Sequence, residues 1–244
     1  MRGTNSVIEY DEVASRKILS ALNAPQEKIG VIRVSALGGC LYHKAWKAGQ
    51  ALPPPSEEEE DEFTNPILME LGKAWEEYAV PKIATALGVE LVPPPEGEEQ
   101  HQARGDSYGL PMLKGSVDGI IVENGERKLL ELKLQGAWPF RKLVRGEMAK
   151  AKTSTEPGLR NFPDYHLQVH MYMGLLELTE CLFISTARQY REIEEYVPLP
   201  LVVVRVPFSA EEFNYGLGRA ELLQHCFDTG NAPSCELGPY CPTG

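Results

Sequence analysis

The chain has 244 residues, 43% of them hydrophobic and 24% charged, with a formal net charge of −11. That composition is ordinary for a soluble globular protein, and the length suits one domain with a sizeable core. No apolar run approaches the ~18 residues of a membrane span, and no apolar signal region opens the sequence, so a cytoplasmic protein is expected. The negative balance excludes a protein that coats nucleic acid nonspecifically, but not an enzyme that holds DNA in one basic groove. Five cysteines, an odd count, argue against a disulfide framework.

In chain order, Tyr10 to Leu22 reads as a helix with Ala14, Ile18, Ala21 and Leu22 on one face. Gly30 to Val34 is a short strand or connector. Ser35 is placed as the N-cap of a helix running through Cys40, Tyr42, Ala45 and Trp46 to about Gly49. Leu52 to Glu62 holds three prolines and a nearly unbroken acidic run, which reads as a solvated loop or disordered segment. Asn65-Pro66 opens a long helix, Ile67 to about Leu87, that Pro81 is expected to kink or interrupt. Val89 to Val92 is a strand, and Pro93 to Tyr108 a polar loop.

Next come two runs rich in Val, Ile and Leu around Asn124-Gly125, a strong hairpin signal. Asp118 falls early in the first strand, Glu131 and Lys133 late in the second. Alternation puts Glu131 and Lys133 on one face and Leu130, Leu132 and Leu134 on the other, and the turn brings Asp118 opposite. The residues alone leave two readings: a solvated face with a cross-strand ion pair, or a site.

Ala137 to Lys152 is basic, with Arg141, Lys142, Arg145, Lys150 and Lys152, and a Ser/Thr/Pro/Gly loop with Arg160 follows. Asp164 is expected to cap a helix, Tyr165 to Leu178, with Gln168 and Tyr172 on one face at i and i+4. Cys181 to Ala187 and Leu201 to Val206 are strands, and Ser209 starts a last helix, to about Phe227, with Glu211 and Glu212 in its first turn. The order predicts an α/β fold with a mixed sheet rather than regular βαβ alternation.

Asp118 followed by Glu131-Leu-Lys133 resembles the Asp…Glu-x-Lys signature of the PD-(D/E)xK nuclease superfamily. Gly72-x-x-x-Glu76 upstream and Gln168-x-x-x-Tyr172 downstream resemble its RecB-like exonuclease branch, including the CRISPR-associated enzymes. The resemblance spans about Gly72 to Tyr172. It implies a restriction-endonuclease-like core, a mixed sheet flanked by helices, within one nuclease domain over 1–244. The catalytic core is placed at about 64–208, with accessory segments at 1–50 and 209–244 and the acidic loop at 52–62.

The activity it implies is that of a Mg2+- or Mn2+-dependent exonuclease that hydrolyses phosphodiester bonds of single-stranded DNA or DNA ends, in recombination, repair, phage replication or CRISPR adaptation. The host would be a prokaryote or a phage, and partners would be DNA and recombination or CRISPR-adaptation proteins. Hard cations prefer oxygen ligands, so Asp118 and Glu131 are assigned to the metal, with Glu76 as a third or water-mediated ligand. The resemblance adds the backbone carbonyl of Leu132. Lys133 would orient or help deprotonate the attacking water or stabilise developing charge. Gln168 and Tyr172 would position Lys133 or the DNA backbone; the plainer reading of both is a half-buried helix face. The segment Arg141 to Arg160 would contact phosphates.

Cys40 before the core and Cys226, Cys235 and Cys241 after it resemble the cysteines that hold a 4Fe–4S cluster in CRISPR-associated RecB-like and AddB-type nucleases. The family's remaining cysteine position is Ala232 here, so Cys226 would substitute. Four thiolates could equally hold Zn2+, or Cys226 could be a buried apolar residue with no cluster formed. Cys181 reads as core. His166 and His170, at zinc-binding spacing, read as structural or DNA-contacting for want of a third ligand. The alternative function is a catalytically silent nuclease fold that binds DNA ends or a partner in a larger complex. A sequence-specific restriction endonuclease would need a recognition element that no segment supplies.

Overall fold

The computed structural model describes residues 31–38, 41, 45, 66–145 and 163–231. The expected helix at Tyr10–Leu22 and the acidic loop at Leu52–Glu62 lie outside these residues. Near the start, β1 (Ile32–Arg33) leads directly into a 3-10 turn, Val34–Ala36, so Ser35 lies inside that turn rather than capping the next helix. Leu41 and Ala45 are helical and fully buried.

Helix α1 (Pro66–Leu87) runs through Pro81 without interruption. Pro81 and Glu77, whose carbonyl would otherwise receive the missing N–H, are both exposed, so water can satisfy that carbonyl. Strand β2 (Glu90–Val92) follows. The segment read as a loop contains β3 (Gln102–Gly105), which pairs with β4 (Leu110–Ser116). Buried Ala103 and Gly105 alternate with exposed Arg104 there, a pattern too short to stand out among the neighbouring Pro, Gly and Glu residues.

The central hairpin forms as expected. Strands β5 (Gly119–Glu123) and β6 (Glu126–Gln135) pair from Gly119↔Leu130 to Glu123↔Glu126. Asn124 and Gly125 between them have φ of 55° and 82°, both positive as a type I′ turn demands. Beyond β6 come α2 (Ala137–Arg145) and α3 (Pro163–Leu175). Helix α3 starts at Pro163, so Asp164 lies in its first turn instead of capping it. It ends before Leu178 because Glu177 turns left-handed, at φ 56°. Strands β7 (Glu180–Ala187) and β8 (Leu201–Pro207) and helix α4 (Ala210–Thr229) complete the described chain. Ser209 caps α4 by accepting from the Glu212 N–H, and left-handed Gly230 closes it.

Two mixed sheets result. The larger has strand order β2-β5-β6-β7-β8, with only the β6–β7 pair parallel, and the smaller has the order β1-β4-β3. Helix α1 covers one face of the large sheet, setting Ala79 and Val80 against Ile121, Leu130, Leu132, Leu182 and Ile184. Helices α3 and α4 and the small sheet cover the other, where Leu129, Cys181 and Phe183 pack with Met171, Phe213 and Leu113. Each fully buried side chain of this size contributes about 1.5–3 kcal/mol relative to exposure. Among the described residues, no helix is long and apolar enough to cross a membrane.

Candidate active site

Strand β6 alternates between two buried faces. Leu130 and Leu132 point to α1, whereas Leu129 lies in the core with α3. Glu131 falls on that second face and is only 1% exposed, so the strand face that could have been a solvated ion pair is interior. A carboxylate here requires partners, because burial without them costs several kcal/mol. Glu131 Oε1 accepts from Lys133 Nζ at 2.5 Å and from Gln168 Nε2 at 3.0 Å, on α3. Gln168 also donates to Tyr172 Oη at 3.4 Å. The second oxygen, Glu131 Oε2, is buried without a hydrogen-bond partner.

Asp118 does not lie in a strand. It occupies the bend between β4 and β5, where the chain passes from the small sheet to the large one. The Val117 N–H donates to the His101 carbonyl at 3.1 Å, toward β3. Strand β5 therefore begins at Gly119, opposite Leu130, and leaves the Leu132 N–H of β6 without a strand partner on that side. Asp118 Oδ2 takes that N–H at 2.6 Å. The divergence of the sheets thus locks a carboxylate beside Glu131.

Glu76 comes from α1, one turn before Ala79 and Val80 on the helix's buried side. Partial burial, then the charge of Asp118, pushes its carboxyl up to about 7, with Lys133 and Lys73 pulling the other way. Glu131 is pushed up to about 8, first by burial and then by Asp118, against the pull of Lys133. Burial also raises Asp118, opposed by Lys133 and the Leu132 N–H. For Lys133, burial favours the neutral amine, but Glu131 and Asp118 outweigh it and hold the ammonium. The directions at Lys133 and Glu131 conflict if each is taken alone. The 2.5 Å contact keeps the proton on Lys133 Nζ, and the protons that burial and mutual repulsion hold on the carboxyls are shared among Asp118, Glu131 and Glu76.

This donor set fits a hard divalent cation. All the donors are oxygens, one buried oxygen is orphaned, and the mutual repulsion of the carboxylates is what a cation would relieve. Among the described residues, no three His, Cys, Asp or Glu side chains already converge closely enough to enclose a metal.

The downstream motif meets the hairpin from α3. Gln168 grips Glu131 rather than Lys133, and Tyr172 touches Gln168. Burial, then the Glu131 charge, raises the Tyr172 phenol, which is therefore neutral. Gly115 on β4 makes room for this ring, since a Cβ there would lie 2.6 Å from Tyr172 Cε1. By contrast, nothing lies within 4 Å of a Cβ at Gly72, so close packing does not explain that glycine. Sequence reasoning missed Tyr165, whose ring centroid lies 5.6 Å from Lys133 Nζ and which stacks toward Phe183. Its position three residues before Gln168, on the same helix face, is the signal that could have found it.

Of the four cysteines considered for a metal–sulfur site, Cys40, Cys235 and Cys241 lie outside the described residues. Cys226 is 1% exposed on α4 within the main core, and burial raises its thiol. Cys181 is buried in β7. His170 Nδ1 accepts from the Ser209 N–H at 3.2 Å, and His166 packs edge-on against His170 and approaches Glu212 at 3.3 Å, so the pair ties α3 to α4. Arg141 and Lys142 of the expected phosphate-contacting segment lie on α2, whereas Lys150, Lys152 and Arg160 fall outside the described residues.

No protein-family model matches the chain, and no curated protein matches it in sequence. Solved structures do match. The alkaline exonuclease LHK-Exo from Laribacter hongkongensis is similar with a TM-score of 0.51 at 12% identity, over 83% of this chain and 90% of that one. LHK-Exo in complex with dAMP gives a TM-score of 0.52 at 12% identity over the same shares. A phage-related exonuclease from Haemophilus somnus 129PT gives 0.45 at 13% identity, over 85% of this chain and 96% of that one. The chain shares the fold of LHK-Exo, a mixed α/β architecture.

Proposed function

We propose that the protein is a Mg2+- or Mn2+-dependent deoxyribonuclease of RecB-like exonuclease type. Its substrates are single-stranded DNA or duplex ends, in recombination, repair, phage replication or CRISPR adaptation. The observation that carries the reading is the buried Glu131 and the half-buried Asp118 beside Lys133, with one Glu131 oxygen left unpartnered in the interior. The fold shared with an exonuclease supports it.

Asp118, Glu131 and the Leu132 carbonyl would hold the cation, with Glu76 as a further or water-mediated ligand. Such a cation neutralises charge on the scissile phosphate and lowers the pKa of a water nucleophile. The chain's own residues supply the rest. Gln168 and Lys133 both hold Glu131 Oε1, which fixes the carboxylate and reserves Oε2 for the cation. The Leu132 N–H fixes Asp118 in the same way. Lys133, kept as an ammonium, donates to charge developing on the phosphate. Tyr172 and Gly115 set the position of Gln168 from behind.

Labelled single-stranded and duplex DNA, incubated with the purified protein in Mn2+, Mg2+ or EDTA, tests this directly. Cleavage that needs the divalent ion and falls by about 10²-fold or more in both Asp118→Ala and Lys133→Ala is expected. Equal cleavage by both variants would remove the site assignment. DNA binding by the wild type without any cleavage would favour the catalytically silent reading.

A further inference from the structure

Helix α2 begins one residue after β6 ends, so the strand that delivers Glu131 and Lys133 leads straight into it. The helix is anchored by Ala137, Phe140 and Leu143, all nearly inaccessible. Trp138 sits on its other side and is 53% exposed. Its ring is therefore open to solvent, while its neighbours on the helix supply the core. Tyr196, 43% exposed, reaches the same place from the loop between β7 and β8. The Arg141 guanidinium carbon lies 5.1 Å from the Trp138 ring centroid and 4.3 Å from that of Tyr196, and so joins the two rings into one surface. The loop's own root is fixed, because Ile193 and Val197 pack on Phe140 and Tyr190 Oη donates to the Val197 carbonyl at 2.8 Å.

Two further cations border this surface. Lys142 and Arg188 are exposed, and the Arg188 guanidinium would lie 3.8 Å from a Cβ at Gly136, the residue joining β6 to α2. The same loop also exposes Glu192, Glu194 and Glu195. Charge alone would therefore hold a polyanion weakly here, and the affinity must come from the rings.

We propose that Trp138, Arg141 and Tyr196 form a stacking platform for the unpaired bases of single-stranded DNA at the end of β6. Bases stack on aromatic rings and on guanidinium planes whatever their identity, and each stack contributes about 1–3 kcal/mol. Bases inside a duplex present no free face, so the platform selects unpaired strands without reading sequence. This inference rests on the nuclease reading and narrows its substrate.

Binding of full-length protein in EDTA to a labelled single strand, to an abasic strand of equal length and to a blunt duplex tests it. The wild type should prefer the base-bearing strand to the abasic one by about tenfold. Trp138→Ala should abolish that preference, Tyr196→Ala should reduce it, and Trp138→Phe should keep most of it. Because stacking releases no counterions, the Trp138→Ala effect should persist from low to high salt. Binding of the blunt duplex should not change, and melting curves check that Trp138→Ala is folded. A wild type that cleaves DNA yet shows no base preference, or a Trp138→Ala protein that retains the preference, overturns the platform alone. A wild type that neither binds nor cleaves any DNA overturns both the platform and the nuclease reading.

Discussion

Strand β6 carries a charged cluster toward each end, on opposite faces of the sheet, and the two are built by different rules. Toward the start, Lys128 Nζ donates to Glu123 at 2.9 Å and to Glu180 at 2.5 Å. Arg205 reaches Glu123 through both terminal nitrogens at 2.8 Å and Glu180 at 3.0 Å. Two carboxylates meet two cations, and the hydrogen bonds from Arg205 and Lys128 draw Glu123 down to about 2. Toward the other end, Asp118, Glu131 and Glu76 surround the ammonium of Lys133, and burial with mutual repulsion drives Glu76 and Glu131 up to about 7 and 8. The first cluster is complete within the chain. Among the described residues the second lacks matching positive charge, and that deficit is what sets the candidate site apart from the ion-pair network on the same strand.

A divalent cation should act on one cluster and ignore the other. With Mg2+ or Mn2+ at about 100 times its dissociation constant, the melting temperature at pH 8 should rise by about 5–10 °C, the increment expected for a chain of this size. Asp118→Asn should remove most of that rise. Lys128→Ala, which disrupts the balanced cluster, should lower the starting temperature but leave the rise intact. Differential scanning fluorimetry of the three proteins with and without EDTA decides it. A rise retained in Asp118→Asn would place the cation elsewhere.

The asymmetry also bears on what could be seen in the sequence. The hairpin was legible because Asn124-Gly125 encodes its own turn and the flanking alternation encodes the faces. Glu131-x-Lys133 was legible because two residues on one strand share a face regardless of the rest of the fold. That this face is buried was not, since Leu130 and Leu132 already supplied an apolar side and nothing local shows that α3 covers the other. Asp118 reads as part of a strand because Val117 to Ile121 is extended in pattern; the switch between sheets depends on the β3–β4 pairing and on the His101 carbonyl, contacts distant in sequence. The surface of Trp138, Arg141 and Tyr196 joins segments on either side of α3 and β7, and no periodicity connects them.

Acidity should separate the clusters in the metal-free protein. Glu76 and Glu131 hold protons in the folded chain at pH values where the unfolded carboxyls, near 4.5, have lost them. Their contribution is therefore complete below about 4.5 and is lost as the pH rises through about 7 and 8. In EDTA the melting temperature should fall by on the order of 5 °C between pH 5.5 and 8.5. Glu131→Gln, which cannot ionise, should flatten that slope. Glu123 works in the opposite sense: its folded value is depressed, so its contribution is present above about 4.5 and is lost as the pH falls toward 2. A slope of the same size in Glu131→Gln would show that the buried site is not its source.

The smallest effect should come from Arg205→Ala. Arg205 is 48% exposed, so its pairs with Glu123 and Glu180 are screened, and their loss should cost about 1 kcal/mol or less, or roughly 2–4 °C. Lys128, with only 11% of its side chain exposed, would still neutralise one of the two acids. Arg205→Lys should recover part of the loss, because it restores the charge but not the two-pronged contact with Glu123. The difference from wild type should shrink in 1 M salt, where exposed charges are screened within about 3 Å. The response to Mg2+ should be that of the wild type. A loss of divalent response in Arg205→Ala would mean that the two clusters are coupled through β6, and the separation between a self-neutralised network and a cation-seeking site on one strand would no longer hold.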